Sequence, residues 1–391
     1  MPDGDDAGGG IEAAVKVVAG IKDVPADAWD ACAGTANPFL SHAFLSALED
    51  SGSVAAETGW LPRHLIVEDP AGRVVGAMPL YLKGHSHGEY VFDWGWADAY
   101  ERAGGRYYPK LLSAVPFTPV PGPRMLVRPG VDRATVEEIL AGGIVGLLER
   151  LGASSAHINF LPRAQWERLG GFGFLQRTGL QFHWSNDGYA DFDAFLAALS
   201  SRKRKAIRKE RRAVAESGLT IRRLTGSDIQ DRHWDAFFHF YIDTSDRKWG
   251  SPYLNRRFFA LLSERLAERV LLVVAERDGT PVAGALNLIG DDTLYGRNWG
   301  CTEDYRFLHF EACYYQAIDF AIERGLAKVE AGAQGPHKLQ RGYLPVETYS
   351  AHFIADPRLR DAVADFVVRE RRQVLHEKAM IEAESPFRSE G

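Results

Sequence analysis

Apolar runs alternate with helically spaced apolar positions throughout the second half of the chain. Apolar residues recur every three or four positions across residues 254–268, which predicts a helix. A continuous apolar run at 270–275, an Asp-Gly pair at 278–279 and a largely apolar stretch at 282–289 predict a β-hairpin. The order predicted for this half is β-α-α-β-β-β-α-β, an α/β unit with a mixed sheet. Its elements are a strand at 219–224, helices at 228–244 and 254–268, strands at 270–275, 282–289 and 293–299, a helix at 308–324 and a strand at 327–331.

The first half repeats phrases of the second half, in the same order. The separation between the matched phrases stays close to about 205 residues, which indicates an internal duplication. The matched pairs are Trp29-Asp-Ala31 with Trp234-Asp-Ala236, Pro38-Phe-Leu-Ser41 with Pro252-Tyr-Leu-Asn255, Gly76-Ala-Met-Pro-Leu80 with Gly284-Ala-Leu-Asn-Leu288, and Trp94-Gly95 with Trp299-Gly300. We therefore expect two copies of one α/β unit with mixed central sheets.

The first copy differs from the second by a long insertion at residues 97–130. This stretch is rich in Tyr, Pro and Gly and lacks periodicity, which is typical of a binding loop or lid. Around it we predict strands at 15–18, 64–68, 74–82, 90–94 and 156–160 and helices at 26–32, 42–49 and 133–151. The expected organisation is a disordered tail (1–12), a first domain (13–190), a basic linker helix region (191–218) and a second domain (219–391).

The composition excludes several classes of protein. Of the 391 residues, 46% are hydrophobic, which is enough for a large core without metals or disulfides. Three widely spaced cysteines, Cys32, Cys301 and Cys313, exclude a disulfide framework and a Cys-rich zinc site, so no metal is expected. A net charge of −6 argues against a generally basic nucleic-acid-coating protein. There is no transmembrane-length apolar run and no signal-peptide pattern, so we expect a cytoplasmic location.

The predicted order resembles the GNAT (acyl-CoA N-acyltransferase) fold, and its duplication resembles the Fem-type aminoacyl transferases. Four phrases are similar to those of the FemAB-like N-acyltransferases: Asn37-Pro-Phe-Leu-Ser41, Tyr107-Tyr-Pro-Lys110, Pro116-Phe-Thr-Pro119 and Gly332-Ala-Gln-Gly335 with His337-Lys338. The resemblance extends from about residue 25 to 375. It implies two tandem GNAT-like domains and transfer of an acyl or aminoacyl group to an amine.

The turn after the third strand of the second copy departs from CoA-binding members of the fold. Such members hold the CoA pyrophosphate on a Gly-rich turn at a helix start. Here the stretch has no glycine from Cys301 through Glu323, although Arg306 stands where these loops carry a basic residue. The bulky residues that follow disfavour close approach of a phosphate. The stretch resembles transferases whose donor is an aminoacyl-tRNA.

A basic run lies between the two copies. Residues 202–212 hold eight basic residues and one acid, in a chain whose net charge is negative. Helically spaced apolar residues predict one buried stripe on a cationic helix. The helix is either a solvated linker or a surface for a phosphate-bearing partner such as tRNA or a lipid-linked pyrophosphate. The candidate phosphate contacts are Arg202, Lys203, Arg204, Lys205 and Arg208.

A polar, Gly-rich segment follows the last strand of the second copy, where α/β sheets place ligand sites. Its His337, Lys338 and Arg341 could bind a phosphate or carboxylate or stabilise an oxyanion. Gln334 and His337 resemble the Gln and His of leucyl/phenylalanyl-tRNA transferases. Lys338 loosely resembles the lysine of the Fem-type site, although its position within the motif does not match. Tyr343 ends the segment. The alternative is an ordinary Gly-rich surface loop.

The third strand of the second copy carries further candidates. In this fold that strand separates from its neighbour and receives the acyl group, so Tyr295, Arg297, Asn298 and Trp299 are expected to line a cleft. Glu311, on the next helix, could bind an amine, or it could simply interact with the helix dipole. We take Asn298, Glu311, Gln334, His337 and Lys338 as the catalytic candidates, and the remaining residues as substrate contacts.

The corresponding cleft of the first copy is expected to contain Lys83, Asp93, Trp94, Tyr108 and Lys110. The function expected is N-acyl or aminoacyl transfer to an amine-bearing small molecule, peptide or peptidoglycan precursor. Aminoacyl-tRNA or acyl-CoA serves as co-substrate, without a permanently bound cofactor. The alternatives are an acyl-CoA-dependent GNAT N-acetyltransferase and a non-catalytic module that recognises a peptidoglycan precursor or RNA.

Overall fold

The computed structural model describes residues 14–248, 252–332 and 335–388, so the predicted tail lies outside the described residues. The strands are β1 (Ala14–Val18), β2 (Trp60–Pro62), β3 (His64–Glu68), β4 (Val74–Met78), β5 (Tyr81–Lys83), β6 (Lys110–Ser113), β7 (Leu126–Val127), β8 (Ser155–Leu161), β9 (Leu175–Ser185), β10 (Thr220–Thr225), β11 (Val270–Arg277), β12 (Thr280–Ile289), β13 (Thr293–Cys301), β14 (Lys328–Glu330) and β15 (Leu344–Ile354).

The helices surround two sheets. They are α1 (Ala26–Ala33), α2 (His42–Asp50), α3 (Trp94–Arg102), α4 (Arg133–Leu151), α5 (Arg163–Gly171), α6 (Phe192–Ala198), α7 (Ser201–Ala215), α8 (Asp231–Lys248), α9 (Arg256–Leu266), α10 (Leu308–Phe310), α11 (Gln316–Glu323) and α12 (Pro357–Ala383). A π-helical turn, Glu311–Tyr315, joins α10 to α11. In the part of the chain that the structure describes, none of these helices is long and apolar enough to span a bilayer.

The second half has the predicted order of elements, and local chemistry accounts for its boundaries. The Asn255 side chain accepts a hydrogen bond from Phe258 N at 2.9 Å, which caps the start of α9. Asp278 and Gly279 both have positive φ, as a tight hairpin turn between β11 and β12 requires. Gly325 follows α11 with a φ of 65°, which ends that helix.

The first half departs from prediction around its insertion. The strand predicted at 90–94 is wrong, because the Asp93 carbonyl accepts hydrogen bonds from Trp96 N at 2.9 Å and Ala97 N at 3.0 Å and so begins α3. Most of α3 and all of β6 and β7 fall within residues 97–130, so the insertion is partly regular. In α3, Trp96 lies in the core and Trp94 lies at the surface.

Two strands are exchanged between the halves. The larger sheet has the order β10-β11-β12-β13-β14-β9-β15-β8-β6-β5-β2, and the smaller has β1-β3-β4-β7. Strand β9, from the first half, lies between β14 and β15, and β15, from the second half, lies between β9 and β8. Each half therefore completes the sheet of the other, and the duplicated units form one continuous structure. Neither β9 nor β15 was predicted.

An aromatic core joins the first segments of the two halves. Phe39 packs edge-on against Phe44 and Tyr295, with ring centroids 4.9 and 5.3 Å apart. Phe44 makes a similar contact with Phe258 of α9 at 5.8 Å. These residues belong to one buried cluster that draws on both copies. The cluster holds the start of the first half against the third strand of the second half, where a cavity opens.

Candidate active site

Strands β13 and β14 run parallel for three residue pairs and then separate. Their last paired residues are Tyr295 and Glu330. Beyond this point β13 keeps its partner β12 on one side, whereas β14 ends and β9, on the other side, continues its pairing with β15. The separation predicted for the third strand is therefore present. It opens a wedge in the sheet at Gly296.

A β-bulge in β13 lies at the mouth of this wedge. Leu286 faces Asn298 and Asn287 faces Gly296, so Arg297 is the extra residue. A bulge redirects the side chain of the extra residue and increases the local twist of the strand. The bulge in β13 thus directs the side chain of Arg297 into the space between the two halves.

A cavity of about 120 Å³ occupies that space. The first half contributes α2, the segment before it, and the predicted insertion; the second half contributes α9, β12, β13 and the segment after β14. The lining residues are Phe39, Phe44, Tyr90, Phe117, Thr118, Pro119, Leu254, Phe258, Leu262, Leu286, Leu288, Gly296, Arg297, Asn298 and Gly332. The cavity therefore has mostly apolar side chains in its walls, with Arg297 and Asn298 at the bulge and Tyr90 and Thr118 on the side of the first half.

Arg297 has hydrogen-bonding capacity that the protein does not use. Its Nη1 donates to Gly296 O at 2.8 Å, but Nε and Nη2 are sealed from solvent without an acceptor among the described residues. The guanidinium lies 4.6 Å from the Phe39 ring centroid. Burial lowers the pKa of Arg297 to about 10, although the nearby Glu330 carboxylate opposes the shift. Arg297 therefore stays charged near neutral pH and can bind an anionic or carbonyl oxygen.

Glu330 is a functional candidate that sequence reasoning missed. It ends β14 at the point of separation and is only 1% exposed. Lys328 Nζ lies 3.4 Å from its Oε1, and burial raises the pKa of Glu330. A carboxylate on a strand that the element order places inside the sheet is the signal that could have identified it. The positive charge of Arg297 opposes the effect of burial on the pKa of Glu330.

The segment after β14 is held in place by its own polar side chains. Lys338 Nζ donates to Ala331 O at 2.6 Å and to Gly332 O at 2.9 Å. Burial lowers the pKa of Lys338 to about 8. Gly332, with a φ of 75°, lines the cavity in a conformation that a side chain would strain. Lys338 thus supports the cavity wall from behind, whereas Gln334 lies outside the described residues.

Other residues of this segment contact helices rather than the cavity. His337 Nε2 lies 2.8 Å from the Tyr314 hydroxyl. Arg341 stacks 3.4 Å from the Phe310 ring centroid and donates to Glu210 of α7 at 2.9 Å. Tyr343 is fully buried, and its hydroxyl lies 3.5 Å from Tyr314 O. These three predicted site residues connect the segment to the π-helical turn and to α7.

Glu311 faces the basic helix instead of the cavity. Arg211 donates to Glu311 at 3.1 Å and to Asp319 at 2.7 Å, and Gln316 donates to Glu311 at 2.7 Å. The carboxylate is therefore engaged in attaching α7 to the π-helical turn. Ile207 and Val214 supply the buried stripe of α7. The predicted phosphate contacts 202–205 make no ion pair in the part of the chain that the structure describes, whereas Arg208 pairs with Asp193 at 2.9 Å.

The comparisons with known proteins identify the family. The FemAB-like family model, described as peptidoglycan biosynthesis/recognition, matches residues 20–389. The chain belongs to the FemAB-like family. No curated protein matches it. Among solved structures it is similar to FemX, with 12% identity, a TM-score of 0.55 and coverage of 90% of this chain and 100% of that one.

Two further structures share the fold of this FemAB-like chain. The C-terminal domain of a putative lysylphosphatidylglycerol synthetase from Agrobacterium fabrum has 10% identity and a TM-score of 0.53, covering 88% of this chain and 96% of that one. L-PGS from Bacillus licheniformis has 10% identity and a TM-score of 0.51, covering 85% and 98%. The architecture is two tandem GNAT-like domains.

The first half of the FemAB-like chain contains a buried cluster of charges away from the cavity. Lys110 Nζ donates to Ser86 Oγ and Glu89 Oε2, each at 2.7 Å, and to Asp93 Oδ2. Lys83 Nζ lies 3.8 Å from Glu89 Oε1, and both lysines are fully buried. Three of the residues predicted to share the first cleft are therefore brought together, with Glu89 as a partner that was not predicted.

The remaining two first-half candidates lie at the edge of this cluster. The Tyr108 hydroxyl is 2.8 Å from Ser86 Oγ. Trp94 is 42% exposed, and its ring centroid is 4.9 Å from that of His87. Neither residue lines the cavity. Tyr90, which follows Glu89 in the chain, does line it.

Burial and pairing shift the pKa values in this cluster in opposite directions. Burial raises the pKa of Glu89 to about 7 and lowers that of Lys83 to about 7. Burial alone would raise the pKa of Asp93, but the Lys110 ammonium holds it well below its ordinary value. Lys110 in turn keeps a raised pKa despite its burial, because Glu89 and Asp93 both contact it. The Lys110–Asp93 pair is therefore charged at neutral pH.

Backbone N–H groups at the start of α10, the helix that follows β13, donate hydrogen bonds to nearby carbonyl groups of the same segment. Leu308 N donates to Tyr305 O at 3.2 Å, and Phe310 N donates to Phe307 O at 3.0 Å. Phe307 itself has a φ of 68° and stacks against Arg306, whose guanidinium lies 4.6 Å from the ring centroid. The two N–H groups already have acceptors, so they are not free to hold a pyrophosphate.

Proposed function

We propose that the chain forms an amide by transferring an acyl or aminoacyl group to an amine at the cavity between the two halves. The observation that carries the proposal is the pair of unpartnered N–H groups of Arg297, aimed by a bulge to the place where β13 and β14 separate. Preorganised donors of this kind stabilise the negative charge that develops on a carbonyl oxygen during acyl transfer. Asn298 lines the same polar region and adds a second donor group.

The step needs no resident cofactor. The amine nitrogen attacks the acyl carbonyl carbon, a C–N bond forms, and the carbonyl oxygen becomes an oxyanion next to Arg297. Collapse of this intermediate breaks the bond to the leaving oxygen or sulfur. The leaving group takes the proton that the amine gives up. The protein contributes the position of the two reactants and stabilisation of the oxyanion.

The donor we favour is an aminoacyl-tRNA. The N–H groups at the start of α10 that a CoA pyrophosphate would need already donate to Tyr305 and Phe307. In contrast, α7 exposes Arg202 and Lys205 on a cationic face next to the segment that lines the cavity. Such a face suits a polynucleotide backbone. The acceptor we favour is an amine-bearing peptidoglycan precursor, in keeping with the description of the family.

The test is a transfer assay with the full chain. Aminoacyl-tRNA labelled in the acyl group, or labelled acyl-CoA, is incubated with peptidoglycan precursors, and amide-linked label is measured. We expect Arg297→Gln to lower kcat by about 100-fold, since it removes a charged donor to the oxyanion. Arg324→Gln is the matched control, because this exposed guanidinium also stacks on a ring, that of Phe320.

The result also separates the alternatives. Transfer from acyl-CoA but not from aminoacyl-tRNA would identify a CoA-dependent enzyme. Tight binding of a precursor or RNA without turnover would identify a recognition module. Equal activity of Arg297→Gln and wild type would contradict the proposed oxyanion site.

A further inference from the structure

The walls of the cavity are more apolar than a small acyl group requires. Phe44, Phe258, Leu262, Leu286 and Leu288 belong to the buried core, yet each faces the cavity. Core side chains ordinarily contact one another closely, and voids larger than a water molecule are few. The cavity of about 120 Å³ among such residues approaches the roughly 150 Å³ of an apolar cavity that binds benzene.

The charged group of the cavity lies at one end, at the bulge in β13. Arg297 and Asn298 lie at the bulge, and Thr118 faces the same space from the first half. Among the described residues that line the cavity, none carries a negative charge. A bound molecule therefore meets one guanidinium and one amide at the bulge, the hydroxyl-bearing side chains Thr118 and Tyr90, and aliphatic or aromatic carbon from the other side chains. Such walls disfavour a cationic side chain and favour an apolar one.

We propose that the acyl group transferred by this chain carries a bulky apolar side chain. The apolar group fills the space among Phe44, Leu262 and Leu286, while the carbonyl oxygen lies at Arg297. This inference rests on the proposed function, because it assigns the cavity to the donor. A leucyl or phenylalanyl ester and a medium-chain or arylalkyl acyl thioester share this chemistry.

The experiment compares donors that differ only in the acyl side chain. One arm uses tRNA charged with Phe, Leu, Ala or Gly, and the other uses phenylpropionyl-, octanoyl- or acetyl-CoA. In whichever arm supports transfer, we expect kcat/KM for the bulky apolar donor to exceed that for the smallest donor by about 100-fold. A preference for glycyl, alanyl or acetyl donors would overturn the inference and leave the proposed amide transfer intact.

A cavity-filling variant tests where the selectivity arises. Leu286→Trp is expected to reduce transfer of the bulky group at least 10-fold more than transfer of the smallest one, because the new ring occupies the apolar space. A purely structural effect would lower both rates alike. Val368→Trp on α12 is the control, since this side chain is 48% exposed. Circular dichroism and urea melts check that each variant folds.

A binding measurement decides the inference if no donor is transferred or if Leu286→Trp does not fold. The probes are N-acetylphenylalanine methyl ester and N-acetylglycine methyl ester, titrated calorimetrically into the wild-type chain. At least 10-fold tighter binding of the phenylalanine ester, with weakening by Leu288→Trp, supports an apolar acyl site even if transfer fails. Equal affinities, or no binding of either ester, would overturn it.

Discussion

Replacing Lys110 with methionine tests the buried charge cluster of the first half. Methionine has nearly the shape of lysine but removes the ammonium group that contacts Ser86, Glu89 and Asp93. Lys83 then remains as the cation of the cluster, and its Nζ contacts Glu89 rather than Asp93. Asp93 would be left as a buried carboxylate without a charged partner. The Tyr107 hydroxyl still donates to its Oδ2 at 2.7 Å, but one neutral hydrogen bond does not offset burial of the charge, so Asp93 takes up a proton in the folded chain.

The expected loss of stability in Lys110→Met follows from the free energy needed to protonate the Asp93 carboxylate. Protonating an Asp whose ordinary pKa is 3.8 at pH 7 costs about 4 kcal/mol, at 1.36 kcal/mol per unit. This agrees with the roughly 3–5 kcal/mol found when one member of a buried pair is removed. In the wild type the pKa of Asp93 is depressed, so its stabilisation is complete above pH 3.8 and is lost only below that value. The free energy of unfolding of Lys110→Met is therefore lowered most, relative to the wild type, at high pH.

The assay is urea unfolding of both proteins, followed by tryptophan fluorescence, at several pH values. We expect the difference in unfolding free energy to fall from about 4 kcal/mol at pH 7 to less than about 2 kcal/mol at pH 5. The control is the double variant Lys110→Met/Asp93→Asn, which should regain stability and lose the pH dependence. A difference below about 1 kcal/mol at pH 7, or one that does not change with pH, would refute the charged Lys110–Asp93 pair.

Three further predictions concern α7 and the segment beside it. Arg211→Met should destabilise the chain by about 2 kcal/mol and speed tryptic cleavage within α7, because Glu311 and Asp319 lose their cation; Arg212→Met, at an exposed position, should do neither. Arg202→Glu with Lys205→Glu should weaken tRNA binding and flatten its dependence on salt, measured by filter binding across KCl concentrations; an unchanged slope would remove α7 from the RNA-binding surface. Lys338→Met should accelerate hydrogen exchange of amides at 331–332 and 335–343, because Lys338 supports the cavity wall from behind. For the same reason it should lower activity less than Arg297→Gln does. A larger loss of activity than that of Arg297→Gln would assign Lys338 a direct part in the reaction.

Periodicity and internal repetition were sufficient to predict the duplicated α/β fold, because both are local properties of the chain. The partners of β9 and β15 were not predictable in the same way. Strand exchange depends on which distant segments meet, and the alternation within a strand carries no such information. The strand predicted at 90–94 failed for a related reason. The Asp93 backbone starts a helix there, and its side chain is bound by a lysine seventeen residues away.

The sequence was most informative about the candidate site where the position of a residue on a strand alone determines whether it lines the cavity. Arg297 and Asn298 line the cavity because they follow the point where the third strand separates from its neighbour. Glu311 was singled out for its place on the next helix, but its partner, Arg211, comes from another helix and has no signature in the local sequence. Glu89 was missed for the same reason, since only the folded chain brings it to Lys110.

The exchange of β9 and β15 constrains how the protein can be made. During synthesis the first half emerges from the ribosome without β15, the strand that lies between β8 and β9. Its sheet stays open, with two unpaired edges, until the chain has been translated through Ile354. Folding of the amino-terminal portion therefore waits for the carboxy-terminal portion, contrary to the usual domain-by-domain order. A nascent chain halted before β15 would expose edges prone to aggregation, and neither half would be a sound unit for separate expression.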